Sequence, residues 1–296
     1  MSSSNKIVVG IDFSEESEIA AGQALGVARH LGGELILVHV RDIVELPAVP
    51  PGPAHELARD WRDASARALA EARDELGRLR ERLSGQGADV SQLLVEDDPD
   101  EGLRAAARQL AARLTVVGTH GRTGLRLLQL GSVAQKIVRQ SETDVLVARK
   151  ERREGYHRIL VASDFSPSAE RALDSAIALA APGGAIDVVH YLDSARMIGG
   201  NFGASQVLPS ALERMTELAR VQGDQLVARR QVPGLELRFR AFAERPVPGL
   251  IHALELEPCD LVALGTHGRR GVRRFFLGSV AEAIVRHAPC SVLVAH

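Results

Sequence analysis

Aromatic residues make up only 3% of this 296-residue chain: one Trp, two Tyr and seven Phe. Its cores must therefore be built mostly from Val, Leu, Ile and Ala. Cysteine is scarcer still. Cys259 and Cys290 are the whole complement, too few for a disulfide scaffold, and a reduced, cytoplasmic setting is expected. No stretch of about 18 apolar residues occurs, so no membrane span is expected. The opening MSSSNK lacks the apolar core of a signal peptide. Charge of one sign is also missing: the net charge is −2 and the sequence pI is near 6.6. That argues against a nucleic-acid binder held by a basic face. Several catalytic signatures are absent as well. There is no GxxxxGK[ST] loop, no GxSxG elbow, no kinase set, no HExxH and no Cys/His zinc spacing.

What the chain does have, it has twice. Residues 118–139 read GTHGRTGLRLLQLGSVAQKIVR and residues 265–286 read GTHGRRGVRRFFLGSVAEAIVR, with 15 of 22 positions identical. Both carry the spacing G-x2-G-x9-G-S, as Gly118, Gly121, Gly131, Ser132 and as Gly265, Gly268, Gly278, Ser279. Each block follows a short apolar run (LTVVG, LVALG) and precedes another (DVLVA, SVLVA). A glycine-rich turn between a strand and a helix start suits phosphate. Backbone N–H groups converge there, and the helix end adds partial positive charge.

The rest of the chain repeats at an offset of about 150. IVVGIDFS (7–14) matches ILVASDFS (159–166), and ELILVHV (34–40) matches AIDVVHY (185–191). Two domains follow, at 1–149 and 158–296, joined by a short charged linker, 150–157. Strand-like runs alternate with helix-like ones, which predicts an α/β fold with a parallel sheet. In the first half, strands are expected near 7–11, 34–40, 90–95, 114–118 and 144–148. Helices are expected near 15–31, 55–84, 100–111 and 132–141. Ser14 reads as an N-cap followed by Glu15 and Glu16; in the second half Ser166 caps, with Pro167 at the first helical position. The charged Arg/Glu alternation of the long helix reads as a solvated face.

In a doubly wound sheet, ligands sit at the carboxyl ends of strands where the strand order reverses. If the first and fourth strands are neighbours, Asp12 shares a rim with the Gly118 loop, and Asp164 with the Gly265 loop. A carboxylate there accepts hydrogen bonds from an adenine amino group or a ribose hydroxyl; the competing reading is a local turn bond to nearby N–H groups. The glycines either let backbone approach phosphate or supply a positive φ. Ser132 and Ser279 add a hydroxyl at the helix start. Arg122 and Arg269 follow the second glycine and are placed to reach phosphate; Arg126 and Arg273 read as solvated. His120 and His267 divide between phosphate contact and solvent exposure. His39 and His190 read as satisfied, partly buried histidines rather than metal ligands. No nucleophile stands beside a base, so no catalytic residue is assigned.

The combined motif, the opening DFS and the closing VLVA strand resemble the universal stress protein family, over nearly the whole chain and in two complete copies. The resemblance implies, for each domain, a five-stranded parallel sheet of order 3-2-1-4-5 flanked by helices, and the branch of the family that binds ATP. Carried over by position, Asp12 and the Val40 backbone face adenine, while Gly118, Gly121, Arg122, Gly131, Ser132 and Val133 wrap ribose and phosphates. The matching set is Asp164, Tyr191, Gly265, Gly268, Arg269, Gly278, Ser279 and Val280. Tyr191 departs from the usual aliphatic residue. Ala134 and Ala281 stand where some relatives have Thr. The loop Glu96, Asp97, Asp98 is acidic where relatives often have Gly, which would weaken phosphate binding if it lay close.

The expectation is a cytoplasmic tandem protein binding ATP, with Mg²⁺ held through phosphate, at two similar sites, in a regulatory role under stress. Its rivals are a slow ATP hydrolase or nucleotidyl-transfer enzyme on the same fold, and a ligand-free interaction protein. No nucleic-acid or membrane partner is expected. The last strand of each half would lie at a sheet edge, so the halves are expected to pack there as a pseudo-dimer, and a homodimer is a further expectation.

Overall fold

A computed structural model describes residues 5–42, 54–121, 130–150, 155–193, 208–267 and 277–296. The first half contains β1 (Lys6–Gly10), α1 (Glu15–Leu31), β2 (Glu34–Arg41), α2 (Ala54–Leu83), β3 (Asp89–Glu96), α3 (Pro99–Gln109), β4 (Leu114–Val117), α4 (Ser132–Gln140) and β5 (Asp144–Val147). The second contains β6 (Tyr156–Ala162), α5 (Pro167–Leu179), β7 (Ala180–Tyr191), α6 (Leu208–Ala228), β8 (Glu236–Phe242), α7 (Pro246–Leu256), β9 (Leu261–Gly265), α8 (Ser279–His287) and β10 (Ser291–Ala295).

The strands form one sheet of ten, in the order β3-β2-β1-β4-β5-β10-β9-β6-β7-β8. Each half thus has the order 3-2-1-4-5, with parallel neighbours throughout. The halves join where β5 and β10 pair antiparallel, Val145 opposite Val294 and Val147 opposite Val292. Two edges that would otherwise be open close on each other, as the β-branched last strands led us to expect.

Helices cover both faces, so the strands are buried on both sides and read as continuous Val/Leu/Ile runs. One face holds Ile7, Val9, Leu35 and Leu37 under α1 and α2, and continues into Ile159, Val161 and Ile186 under α5 and α6. The other holds Val8, Val38, Val145 and Val147 under α3 and α4, and Val262, Val292 and Val294 under α7 and α8.

Helix boundaries follow their caps. Ser14 accepts from the Ser17 N–H at 3.2 Å. Gly32 ends α1 in the left-handed region at φ 59°, a conformation glycine adopts without a Cβ penalty. The second half departs here. At the place of Leu31 stands Pro182, which disfavours a helical residue before it. So α5 stops at Leu179, and β7 starts early, with a register shift between Tyr156 and Arg158.

The seam also carries a buried polar chain. Tyr156 Oη donates to Gln23 Oε1 at 2.9 Å, and Gln23 Nε2 donates to Ser291 Oγ at 2.9 Å. It ties α1 of one half to β6 and β10 of the other.

Candidate functional site

Because β1 lies beside β4, the turn after β1 and the loop after β4 open on the same rim. Asp12 leads that turn. Its Oδ1 accepts from Ser14 N–H at 3.1 Å and from Ser14 Oγ at 2.5 Å. Its Oδ2 faces Gly121, close enough that a Cβ on Gly121 would collide with it. The turn reading of Asp12 describes its Oδ1, while its Oδ2 faces the glycine loop. Asp164 repeats the turn, accepting from Ser166 N–H at 3.0 Å.

Residues that the sequence reading left out of the site hold this turn. Phe13 and Phe165, each following the aspartate, have φ of 62° and 61°, a rare conformation for a bulky residue. Each ring leans on the histidine ending the neighbouring strand, Phe13 on His39 at 4.6 Å and Phe165 on His190 at 4.8 Å. Each histidine bonds through Nδ1 to the carbonyl before the aspartate, at Ile11 and Ser163, both at 2.7 Å. The repeated DFS and the repeated His in VHV and VHY were the available signal.

The glycines divide by job. A Cβ on Gly118 would stand 2.8 Å from Glu16 O, and one on Gly265 would stand 2.6 Å from Ser168 Oγ. These two let the strand end pack on the helix start. Gly131 and Gly278 precede α4 and α8 with φ of −61° in both. Gly118, Gly121 and Gly265 are likewise outside the left-handed region, so the positive-φ reading fails for all five; at these three it is close approach of neighbouring protein atoms that excludes a Cβ. A Cβ on Gly131 would meet nothing nearer than 3.5 Å, so that position faces room. Gly268, Arg122, Arg269, Arg126 and Arg273 lie outside the described residues.

Each loop is closed at its base, Gly131 N–H donating to Thr119 O and Gly278 N–H to Thr266 O, both at 2.8 Å. Directly beyond, α4 and α8 begin with no side-chain cap. This contrasts with α1 and α5, which Ser14 and Ser166 cap. Orphan N–H groups at an uncapped helix start, reinforced by the helix dipole, attract an anion. Ser132 and Ser279 are exposed there, Val133 is exposed and Val280 half-buried. Ala134 and Ala281 point into the core instead. His120 and His267 are half-buried, and the Nε2 of each is buried without a hydrogen-bond partner, so the solvent-exposed reading does not hold.

Val40 completes the rim. Ile11 N–H donates to Val38 O at 2.8 Å, so Val38 directs its backbone groups toward β1, and Val40, two residues on, does the same. The last β1–β2 pair is Gly10 with Val38. Val40 therefore presents its N–H and C=O over the end of β1, on the side of Asp12. Tyr191 repeats this, since Ser163 N–H donates to Val189 O at 2.9 Å. The Tyr191 ring turns away onto α7, where Oη donates to Gly249 O at 3.0 Å and the ring stacks on Phe242. Burial pushes its pKa up to about 12.

The acidic loop of the first half is tied down. Asp98 caps α3, and Lys136 of α4 reaches Asp100 at 2.6 Å and Asp98 at 4.0 Å. Burial would raise the Asp100 carboxyl, but its bonds to Lys136 and Asp98 hold it below the usual range. Glu96 lies 3.7 Å from Arg41.

The chain is a doubly wound α/β sheet duplicated within one polypeptide, with an acid and an uncapped helix start on one rim of each half. The sequence profile of the universal stress protein family matches residues 4–149 and 155–296. The chain belongs to that family, as a tandem of two copies. A universal stress protein of Staphylococcus haemolyticus is 37% identical over 141 residues, 47% of this chain and 84% of its own. Another, from Methanocaldococcus jannaschii, is 28% identical over 149 residues, 50% of this chain and 84% of its own. The crystal structure of a universal stress protein from Archaeoglobus fulgidus superposes with a TM-score of 0.66 at 20% identity, covering 99% of this chain and 98% of that one. Among the described residues, no helix is long and apolar enough to cross a membrane.

Proposed function

We propose that the chain binds adenine nucleotide, ATP in particular, at two similar rim sites, and that binding serves regulation in the stress response rather than fast turnover. The observation that carries this is the pairing of a carboxylate with an uncapped helix start on one rim, built twice. Asp12 and the Val40 backbone take the adenine and ribose end; Gly121, Gly131, Ser132, Val133 and the Arg122 side chain take the phosphates. Asp164, Tyr191, Gly268, Arg269, Gly278, Ser279 and Val280 do so in the second half. The donor chemistry fits such a ligand: acceptors at the nucleoside end, N–H groups at the phosphate end, and room at Gly131. Among the described residues no cluster of three His, Cys, Asp or Glu side chains forms a metal site, so Mg²⁺ would enter with the phosphates.

The test is the ligand content of the purified protein after denaturation, followed by titration with ATP. Two equivalents of ATP per chain, with phosphate release far below ordinary turnover of about 1–10³ s⁻¹, support the reading. Rapid release favours the hydrolase, and no binding at millimolar ATP favours a ligand-free interaction protein.

A further inference from the structure

Two thiols meet in the second half. Cys259, in the turn between α7 and β9, and Cys290, just before β10, place their sulfurs 3.4 Å apart. Neither has a counterpart in the first half, where the matching residues are Ala112 and Thr143. Cys290 is 3% exposed. Cys259 is half-buried and lines a cavity of about 170 Å³ between the sheet and α7.

That cavity has a charged wall that the first half lacks. Asp187 and Arg240, 3.5 Å apart, stand where the first half has Ile36 and Leu93. Arg158, His252 and Glu257 share the lining. Such walls admit water and polar solutes, which an apolar wall would exclude. Cys259 is thus the thiol a small solute meets first, with Cys290 behind it.

Behind Cys290 stands Arg149, from the end of the first half. Its backbone N–H donates to Ser291 Oγ at 3.2 Å, and its guanidinium donates to Val285 O. Its Nε is buried and has no hydrogen-bond partner. Burial lowers its pKa, and the charge of Cys290 works the other way. In turn the bond from Cys259, with the Arg149 and Lys150 charges, outweighs burial and holds Cys290 below the usual thiol range. A thiol facing a solute-accessible cavity, with a thiolate-prone partner in contact, is the arrangement that disulfide exchange requires.

We propose that Cys259 and Cys290 form a reversible disulfide by exchange with a low-molecular-weight disulfide, R–S–S–R, entering through the cavity. The bond to Cys290 and burial hold Cys259 protonated, so Cys259 first passes its proton to the Cys290 thiolate; its sulfur then attacks one sulfur of R–S–S–R, the S–S bond breaks, and the departing R–S⁻ takes that proton from Cys290 and leaves as R–SH. Cys290 sulfur, again a thiolate, then attacks the Cys259 sulfur of the mixed disulfide, and the second R–S⁻ leaves as R–SH with the proton that Cys290 had given to solvent. The protein loses two hydrogens and two electrons, and R–S–S–R becomes two R–SH. The bond ties the α7–β9 turn to the head of the strand that seams the halves, and it removes the counter-charge beside Arg149.

The experiment uses the full chain, reduced and freed of reductant, incubated with 2-hydroxyethyl disulfide, then alkylated and weighed intact. Both alkylable thiols should disappear together, the mass should fall by two hydrogen atoms, and dithiothreitol should restore the starting state. Cys290→Ser should trap one hydroxyethylthio group on Cys259. Cys259→Ser should react at least tenfold more slowly, because the remaining thiol is buried. A wild-type chain that keeps both alkylable thiols, or holds stable adducts without the internal bond, would overturn the proposal. Peptide mapping of the wild-type time course gives an independent reading: a transient adduct on Cys259 supports the order of steps, and one on Cys290 overturns it.

Discussion

In the first half, Asp98 caps α3 and joins Asp100 in holding Lys136. At the matching places in the second half stand Arg245, Val247 and Ala283, and Arg245 caps α7 with no side-chain bond. The segment 96–101 reads EDDPDE, with five acids, and 243–248 reads AERPVP, with one acid and one base. Yet the glycines match, and so do the aspartate turns and the left-handed phenylalanines. The difference separates two kinds of constraint. A side chain at Gly118 or Gly265 collides with a helix start, in either half and with any ligand. Most of these rim charges are partly solvated and screened, each worth under about 1 kcal/mol, whereas Asp100 is buried at 5% exposure; the two halves fold alike without matching them.

The largest expected effect breaks one half and spares the other. Gly121→Val sets a branched side chain against Asp12, so the first site should lose ATP by more than about 100-fold while the second keeps its affinity. Titration should then give one equivalent instead of two; two equivalents would mean the glycine loop is not the site.

The seam offers a second contrast. Arg149 ends the first half where His296 ends the second, and burial, with His267 nearby, lowers the His296 pKa to about 4. Unfolded, the ring protonates near 6.5. Its contribution is therefore present above pH about 6.5 and is lost as pH falls toward about 4. Wild type should lose up to about 3 kcal/mol more stability than His296→Gln across that window, read by urea unfolding at both ends. Parallel losses in the two proteins would remove His296 from the account.

Asp12→Ala and Asp164→Ala should each cost about 1.5–3 kcal/mol at their own site, roughly 10–150-fold in ATP affinity. Preference for ATP over GTP should shrink too, while inorganic triphosphate binds no worse. If affinity and base preference stay unchanged in a folded protein, the aspartates serve only the turn.

The smallest effect sharpens the charge comparison. Arg245→Asp gives the second rim part of the first rim's acidity. ATP affinity there should fall about two- to fivefold at low salt, and the difference should fade at high salt. A change that salt does not alter would point to lost cap geometry instead.

Much of the fold was legible because its signals are local. The strands expected near 7–11 and 34–40 form as Lys6–Gly10 and Glu34–Arg41, and the helix expected near 15–31 forms as Glu15–Leu31. Apolar runs, Ser14, Ser166 and Gly32 are read within a few residues of themselves. The placing of the candidate site was legible as a pattern: Asp12 and Gly121 do share a rim. What it left open was the reason for each glycine. Gly118 meets Glu16 and Gly265 meets Ser168, across about 100 residues of chain, and no spacing rule names that partner. The Tyr191 ring was unreadable for the same reason, since Gly249 accommodates it.

By itself, then, the sequence determined the repeat, the strand and helix succession and the spacing of the glycines, because periodicity, caps and glycine spacing act through neighbours. It also marked the final β-branched strands as edges in need of cover. Tertiary structure alone decided that β5 meets β10 antiparallel with Val147 opposite Val292. It decided that Tyr156, Gln23 and Ser291 share one buried chain of hydrogen bonds, and that Cys259 and Cys290 come within contact. Each of these joins residues remote in sequence. Their distance follows from strand order and register, which the packed sheet sets as a whole and no local signal encodes.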